Sequence, residues 1–444
     1  MSRAVGRVRL STGRFRFRGA AVHGGVVMAV LLAPGWAGAA VPGADDGRWY
    51  YEATGMADIH QSATGEGITV AVLDGRVNTA VADLAGADVQ PHEPSYCAAA
   101  TGGQPYPATS TGADAQHATS IATMLVGTDA GLSGQPGIPG IAPGVTLRTY
   151  AVYVEGQPCE TPAGQEDLAD DAVRDALADG ADIILVPGTQ QMSAGVVAEA
   201  ERAGVILIGS AGNDGTIVTG FPATLNGVVA TGTITSDMTL DDGSVYGPRL
   251  GVVAPGAHIR ALSPTWESYG TTTGSSNAAA YTAGALALLW SLHPDATDGQ
   301  ILQALVRTTD GEVKDTWQHD PNWGYGIVNT RVLLTVDPTT FPDENPFVSD
   351  EPDLLPTAGQ ILGTPEDADV GAEDEPSDTA GEDPTAFPEQ DDPGSGSALP
   401  LILGTGALVV AIGAVAAATI RMRARRHVPV AEAPTASDLA QHQR

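Results

Sequence analysis

Lysine is all but absent from this chain. Lys314 is the only one in 444 residues, and Lys and Arg together number 21 against 53 Asp and Glu. A net charge of −32 excludes a nucleic-acid ligand, whose phosphates demand a basic surface. Aromatic residues make up only 5%. A core poor in large rings must close by small-residue packing, and 55 glycines and abundant alanine fit a close-packed α/β domain. Cysteine is scarce as well: Cys97 and Cys159 are the only two. Two thiols are too few for a disulfide scaffold or a thiolate metal cluster. They leave one disulfide as the natural reading for an exported chain, with two free thiols or an incomplete metal site as alternatives. No ligand cluster in the domain reads as a metal or cofactor site, so no cofactor is expected.

Both ends carry membrane signals. Residues 1–39 combine six arginines, the short apolar run Val26-Val-Met-Ala-Val-Leu-Leu-Ala33 and the small-residue pattern Ala37-Gly-Ala39, the layout of a cleaved secretory signal. Residues 398–420 contain no charge and would span about 34 Å as a helix, enough to cross a bilayer. Arg421, Arg423, Arg425 and Arg426 follow at once, which places the tail 421–444 in the cytoplasm and everything before the span outside. The expected location is therefore the cell membrane, single-pass type I. Between domain and span, residues 337–397 hold 18 carboxylates, no Lys or Arg, and many Pro, Gly, Ser and Thr. That composition predicts a disordered acidic spacer with a reach of roughly 40 Å, with calcium ligands or an acidic docking strip as the alternative use of its carboxylates.

From 67 to 336 strand and helix patterns alternate, after an N-terminal extension at 40–66 that is expected to pack on the domain. Ile68–Leu73 is a continuous apolar run, as in a strand covered on both faces. Helical spacing over 118–126, 166–177 and 194–203 is interleaved with apolar strands at 182–186, 205–208 and 227–232. The pattern predicts a three-layer α/β fold with a mostly parallel central sheet, whose sites form at the carboxyl ends of strands.

Three residues stand at the edges of these elements in the order Asp, His, Ser. Asp74 ends the first strand, His117 opens a small-residue helix pattern, and Ser276 lies in Gly274-Ser-Ser-Asn-Ala-Ala-Ala280 ahead of an apolar helix. A serine hydroxyl needs a base to take its proton, and the histidine needs a carboxylate to fix its tautomer. Taken singly, each has a plainer explanation. Asp74-Gly75 reads as a turn pair, His117 as a structural histidine, and Ser275 or Ser276 as a helix N-cap. Gly274 suggests an unusual backbone angle or close packing. A fourth residue, Asn213 in Gly209-Ser-Ala-Gly-Asn-Asp-Gly215, follows a buried strand. It could donate to an oxyanion or simply form a turn.

Taken in order, these segments resemble the subtilisin superfamily over roughly residues 45–335. Val70-Ala-Val-Leu-Asp-Gly75 is similar to its strand ending in Asp-Thr/Ser-Gly, and His117-Ala-Thr119 to its His-Gly-Thr. Gly209 to Gly215 resembles its oxyanion segment, and Gly274 to Ala280 its Gly-Thr-Ser-Met-Ala-x-Pro. With the flanking signal, acidic linker, span and basic tail, the chain is most similar to the mycosins, membrane-anchored proteases associated with type VII secretion. The resemblance implies a subtilisin-like serine endopeptidase acting on protein or peptide substrates. Its catalytic residues would be Asp74, His117 and Ser276, with Asn213 in the oxyanion hole and secretion-complex components as partners. Departures are equally legible. Gly75 replaces a hydroxyl residue, Ala118 a glycine, Asn277 a methionine and Ala280 a proline. Pro187, which cannot donate an N–H, stands where a strand ordinarily pairs with substrate. These departures keep open the alternative of a divergent, non-proteolytic binding or scaffolding component.

Overall fold

The computed structural model describes residues 46–165 and 167–363. The expected signal at 1–39, most of the acidic spacer, the span at 398–420 and the tail lie outside the described residues. Among the described residues no helix is long and apolar enough to cross a membrane.

In chain order the helices are α1 (Trp49–Thr54), α2 (Met56–Ile59), α3 (Gln116–Val126), α4 (Leu168–Ala178), α5 (Ala194–Arg202), α6 (Ser275–Leu292), α7 (Asp298–Arg307), α8 (Thr330–Leu333) and α9 (Ala358–Leu362). The strands are β1 (Thr69–Asp74), β2 (Val89–Pro91), β3 (Thr146–Ala151), β4 (Ile183–Val186), β5 (Ile206–Ser210), β6 (Val229–Ile234) and β7 (Val252–Pro255), followed by the antiparallel hairpin β8 (Ile259–Leu262) and β9 (Tyr269–Thr272). The first seven strands form one parallel sheet in the order β2-β3-β1-β4-β5-β6-β7.

Alternation along the strands splits the core in two. Val70 and Val72 of β1, Ile183 and Leu185 of β4, and Ile206 and Ile208 of β5 face the layer of α3 and α6. Ala71, Leu73, Ile184, Val186 and Leu207 face the layer of α4 and α5. A sheet buried on both sides needs apolar residues at consecutive positions, which is why these strands read as unbroken runs. α6 is buried along nearly its whole length, and its sequence is accordingly apolar on every face. It lies so close to the Ile141 side chain that a Cβ on Gly284 would sit 2.5 Å from it, so only glycine fits there.

The N-terminal helices α1 and α2 bury Trp49, Tyr50, Met56 and Ile59 in the same core as α6. The Trp49 indole donates to the Ala257 carbonyl at 2.9 Å, and the Tyr50 hydroxyl to that of Pro139 at 3.2 Å.

The packed domain runs past the boundary expected at residue 336. Phe347 and Ile361 are buried, and the Asn345 amide donates to Glu201 and to the Gly227 carbonyl. Asn226 exchanges hydrogen bonds with Ser349 and donates to Pro356. Composition across 337–397 averages a few anchoring apolar and amide residues into a run of carboxylates, so the acidic signal begins before the packing ends.

Candidate active site

Asp74 is the last residue of β1, beside Ala151 of β3 in register. β1 is flanked by β3 on one side and β4 on the other, so connections leave in opposite directions and a crevice opens at its carboxyl end. Asp74 is 1% exposed. A carboxylate that deep stays charged only if donors surround it. The Gly75 N–H donates to Oδ1 at 2.7 Å, the Tyr153 hydroxyl to Oδ1 at 2.7 Å, and His117 Nδ1 lies 3.0 and 2.9 Å from Oδ1 and Oδ2. Burial by itself would raise the Asp74 pKa. The His117 charge, its hydrogen bond and those from Tyr153 and Gly75 outweigh burial and hold the carboxyl below its ordinary value.

His117 sits in the first turn of α3, one residue further into the helix than its sequence pattern suggests. The start of that helix is tied down on three sides. Gln116 donates to the Leu262 carbonyl at 3.1 Å, Thr119 Oγ1 accepts from Asn78 N–H at 2.9 Å, and Arg76 pairs with Asp114 at 3.1 Å. The Asp74 carboxylate raises the His117 pKa; partial burial opposes it, and the hydrogen bond that His117 donates to Asp74 and the Glu155 charge reinforce it. Ala118, in place of the expected glycine, is buried in the helix.

Ser276 is the second residue of α6 and stands half-exposed at its mouth. Neither serine is an N-cap: Gly274 holds that position and no side chain caps the helix. The Gly274 backbone is extended, at φ 168°, and a Cβ there would make only ordinary contact with Asn213, so neither an unusual angle nor crowding demands the glycine. The turn is fixed instead by Gly256, whose carbonyl accepts from Gly274 N–H at 3.0 Å and from the Asn277 amide at 3.1 Å. A Cβ at Gly256 would lie 2.7 Å from the Gly274 carbonyl. In the sequence, Asn277 is only a departure from methionine. Its amide also donates to Thr272 Oγ1 of β9 at 3.2 Å and so ties the hairpin to the start of the serine helix.

Asn213 follows β5. Its Oδ1 accepts from the Ser275 N–H at 2.7 Å, and an N–H can meet only the oxygen of an amide. The amide nitrogen is thereby turned away from the helix backbone. Ser275 Oγ accepts from the Gly212 N–H at 3.1 Å, a second tie between the two segments. The Ser276 N–H lies in the first helical turn, where no intrahelical acceptor exists.

His117, Ser276 and Asn213 line one cleft of about 820 Å³, together with Tyr153, Pro187 and Thr189. Asp74 lies behind His117. No hydrogen bond joins His117 to Ser276 among the described residues; such contacts are often loose without a bound substrate. All four residues picked out from the sequence thus converge. Tyr153, which contacts two of them, carried no sequence signal because it lies 79 positions from Asp74. Away from the cleft, the sulfurs of Cys97 and Cys159 lie within bonding distance, with Cα atoms 4.5 Å apart. Among the described residues there is no group of three or more acidic, His or Cys side chains that could hold a metal ion.

The chain is similar to known proteins in sequence and fold. Residues 65–329 match the family model described as the Subtilase family. Subtilisin NAT of Bacillus subtilis subsp. natto is 30% identical over 259 residues, covering 56% of this chain and 62% of its own length. Subtilisin of Bacillus pumilus is also 30% identical over 259 residues, with 86% of its length covered. Among solved structures, the MycP3 protease from the type VII (ESX-3) secretion system superposes with a TM-score of 0.51 at 22% identity, over 67% of this chain and 90% of that one. The PatG macrocyclase in complex with peptide gives 0.51 at 22%, over 63% and 95%. With more than half of its length matched by the family model, the chain belongs to the Subtilase family.

Proposed function

We propose that this protein is a membrane-anchored serine endopeptidase whose peptidase domain works outside the cytoplasm. The observation that carries the reading is the Asp74–His117 pair, at 2.9 Å, opening into the cleft that Ser276 and Asn213 also line. In the proposed reaction Ser276 Oγ attacks the peptide carbonyl carbon while His117 Nε2 takes its proton. Asp74 keeps the Nδ1–H tautomer and stabilises the imidazolium. The Asn213 amide and the Ser276 N–H stabilise the oxyanion. His117 then protonates the leaving amine, the acyl–enzyme forms, and water releases it by the reverse sequence. The raised His117 pKa sets the acid limb of activity above the ordinary histidine range, because only the neutral imidazole is a base.

The cellular setting rests on the flanks. A signal-like 1–39 segment, an uncharged 398–420 run and four arginines beyond it support export and single-pass anchoring. In that oxidising compartment the Cys97–Cys159 pair would be a disulfide. Association with a type VII secretion complex is supported by the same layout and by the fold shared with the MycP3 protease.

The decisive experiment reacts the full-length protein with a fluorophosphonate probe beside Ser276→Ala. Labelling lost in the variant is expected; a folded protein that takes no label at any pH would sink the peptidase reading. One observation favours a second reading, a scaffolding component. Pro187 lines the cleft directly after β4 and has no N–H to offer a substrate strand. Restoration of secretion by Ser276→Ala in a deletion strain would favour it.

A further inference from the structure

Asp74 is served by a donor from outside the three segments that carry the candidate site. Tyr153 stands two residues beyond β3, the parallel neighbour of β1. The Val152 N–H donates to the Asp74 carbonyl at 2.8 Å and continues the ladder to the foot of the Tyr153 side chain. The hydroxyl reaches Asp74 Oδ1 at 2.7 Å and lies 3.4 Å from His117 Nδ1. Room for the ring is made at Gly75. A Cβ on that residue would sit 3.2 Å from two ring carbons of Tyr153, tighter than ordinary van der Waals contact. The loop after Tyr153 is held from behind. Tyr96 N–H donates to the Ala151 carbonyl, Ala98 and Glu160 exchange backbone hydrogen bonds at 2.8 and 2.9 Å, and Cys159 lies against Cys97.

We propose that Tyr153 is a positioning residue for the reaction. Its hydroxyl fixes the Asp74 carboxylate in the orientation that faces His117 Nδ1, and Gly75 is the space that admits its ring. The inference rests on the peptidase reading for its catalytic consequence but not for its structural content. Beside the Gly75 N–H and His117 Nδ1, the Tyr153 hydroxyl is a further donor on Oδ1, and it restricts rotation of the carboxylate about its Cβ–Cγ bond. The hydroxyl also shares the carboxylate charge. Without it, more of that charge faces the imidazole and favours its protonation. The titratable groups acting on His117 are Asp74 and Glu155, with Tyr153 touching both Asp74 and the ring. Tyr153 itself stays neutral, since burial, the Asp74 charge and their hydrogen bond all push its pKa up.

The test uses the full-length protein with Tyr153→Phe, Tyr153→Ala and the double variant Tyr153→Ala/Gly75→Ser, which returns a hydroxyl beside Asp74. The first readout is the His117 titration followed by NMR of labelled histidine in a Ser276→Ala background, which requires no catalysis. Tyr153→Phe is expected to move the His117 pKa upward. The second readout is peptide hydrolysis, where kcat should fall about 10-fold in Tyr153→Phe with KM nearly unchanged, since only the hydroxyl on Asp74 is removed and the ring that lines the cleft stays. Gly75→Ser should recover most of that loss in the Tyr153→Ala background. A packing role alone would lower Tm and leave the His117 titration in place. An unshifted titration in a folded Tyr153→Phe protein overturns the proposal. Absence of hydrolysis in the parent protein counts against the peptidase reading instead, and the titration still decides Tyr153.

Discussion

The two walls of the cleft hold their reacting groups by different means. On one wall, Asp74 and His117 are placed by side-chain hydrogen bonds: a carboxylate at 1% exposure takes donors from Gly75, Tyr153 and His117. On the other, Ser276 is placed by the element that carries it rather than by bonds to its own side chain. It rides on the first turn of a buried helix whose start is tied to Gly256 through Gly274 and Asn277, and to the Asn213 loop through Ser275. The difference follows charge. A buried anion must be neutralised by directional donors, so its position and its energetics are the same problem. A neutral hydroxyl carries little desolvation cost, so it needs only a rigid element to stand on.

That contrast can be broken experimentally. Ser276→Ala should lower hydrolysis by about 10⁵–10⁶-fold, the scale of losing a triad nucleophile, with Tm unchanged because the side chain stands half-exposed at the cleft. Asp74→Asn should cost about 10⁴-fold and also lower the His117 pKa, moving the acid limb of the pH–rate profile down. A Tm as high as the parent's in Asp74→Asn would contradict the picture of a donor-saturated buried anion. Asn213→Ala should lower kcat by about 10²–10³-fold with KM nearly unchanged, since an oxyanion donor acts only in the transition state. Asn277→Ala attacks the serine wall through its anchor. It should cost about 1–3 kcal/mol in denaturant unfolding, because Gly256 and Thr272 lose a buried amide donor.

The smallest expected effect lies away from both walls. Burial pushes the Glu201 carboxyl up to about 8, against a lowering hydrogen bond from Asn345. The folded protein therefore binds more protons than the unfolded chain between the ordinary carboxylate range and pH 8, and stability falls as pH rises through that window. Glu201→Gln should remove that slope and raise Tm at pH 8 by about 2–4 °C, with kcat unchanged. An altered kcat would mean that the segment around Asn345 communicates with the cleft.

The β1, β4 and β5 strands were legible because a sheet covered on both faces writes itself as consecutive apolar residues. The helix α6 was legible because a helix buried on all sides is apolar throughout. β3 was not: Thr146-Leu-Arg-Thr-Tyr-Ala151 is neither an unbroken apolar run nor a strict alternation, and its pairing with β1 is set by the sheet rather than by its composition. The segment 337–363 was hidden for the opposite reason, since its anchors Phe347, Ile361 and Asn345 are few among many carboxylates. Gly274 shows a motif residue whose local geometry demands nothing special, while the unremarked Gly256 fixes the turn.

The sequence by itself determined the layered α/β architecture, the order of Asp74, His117 and Ser276, and Asn213 as their neighbour, because periodicity and short motifs are local properties. Tertiary structure decided how the carboxylate is held. From sequence, Gly75 is a missing hydroxyl; in the folded protein Tyr153, 79 residues beyond Asp74, brings a hydroxyl to the Asp74 carboxylate through the space that glycine leaves. A hydrogen bond depends on distance in space, and only the pairing of β1 with β3 brings those two residues together.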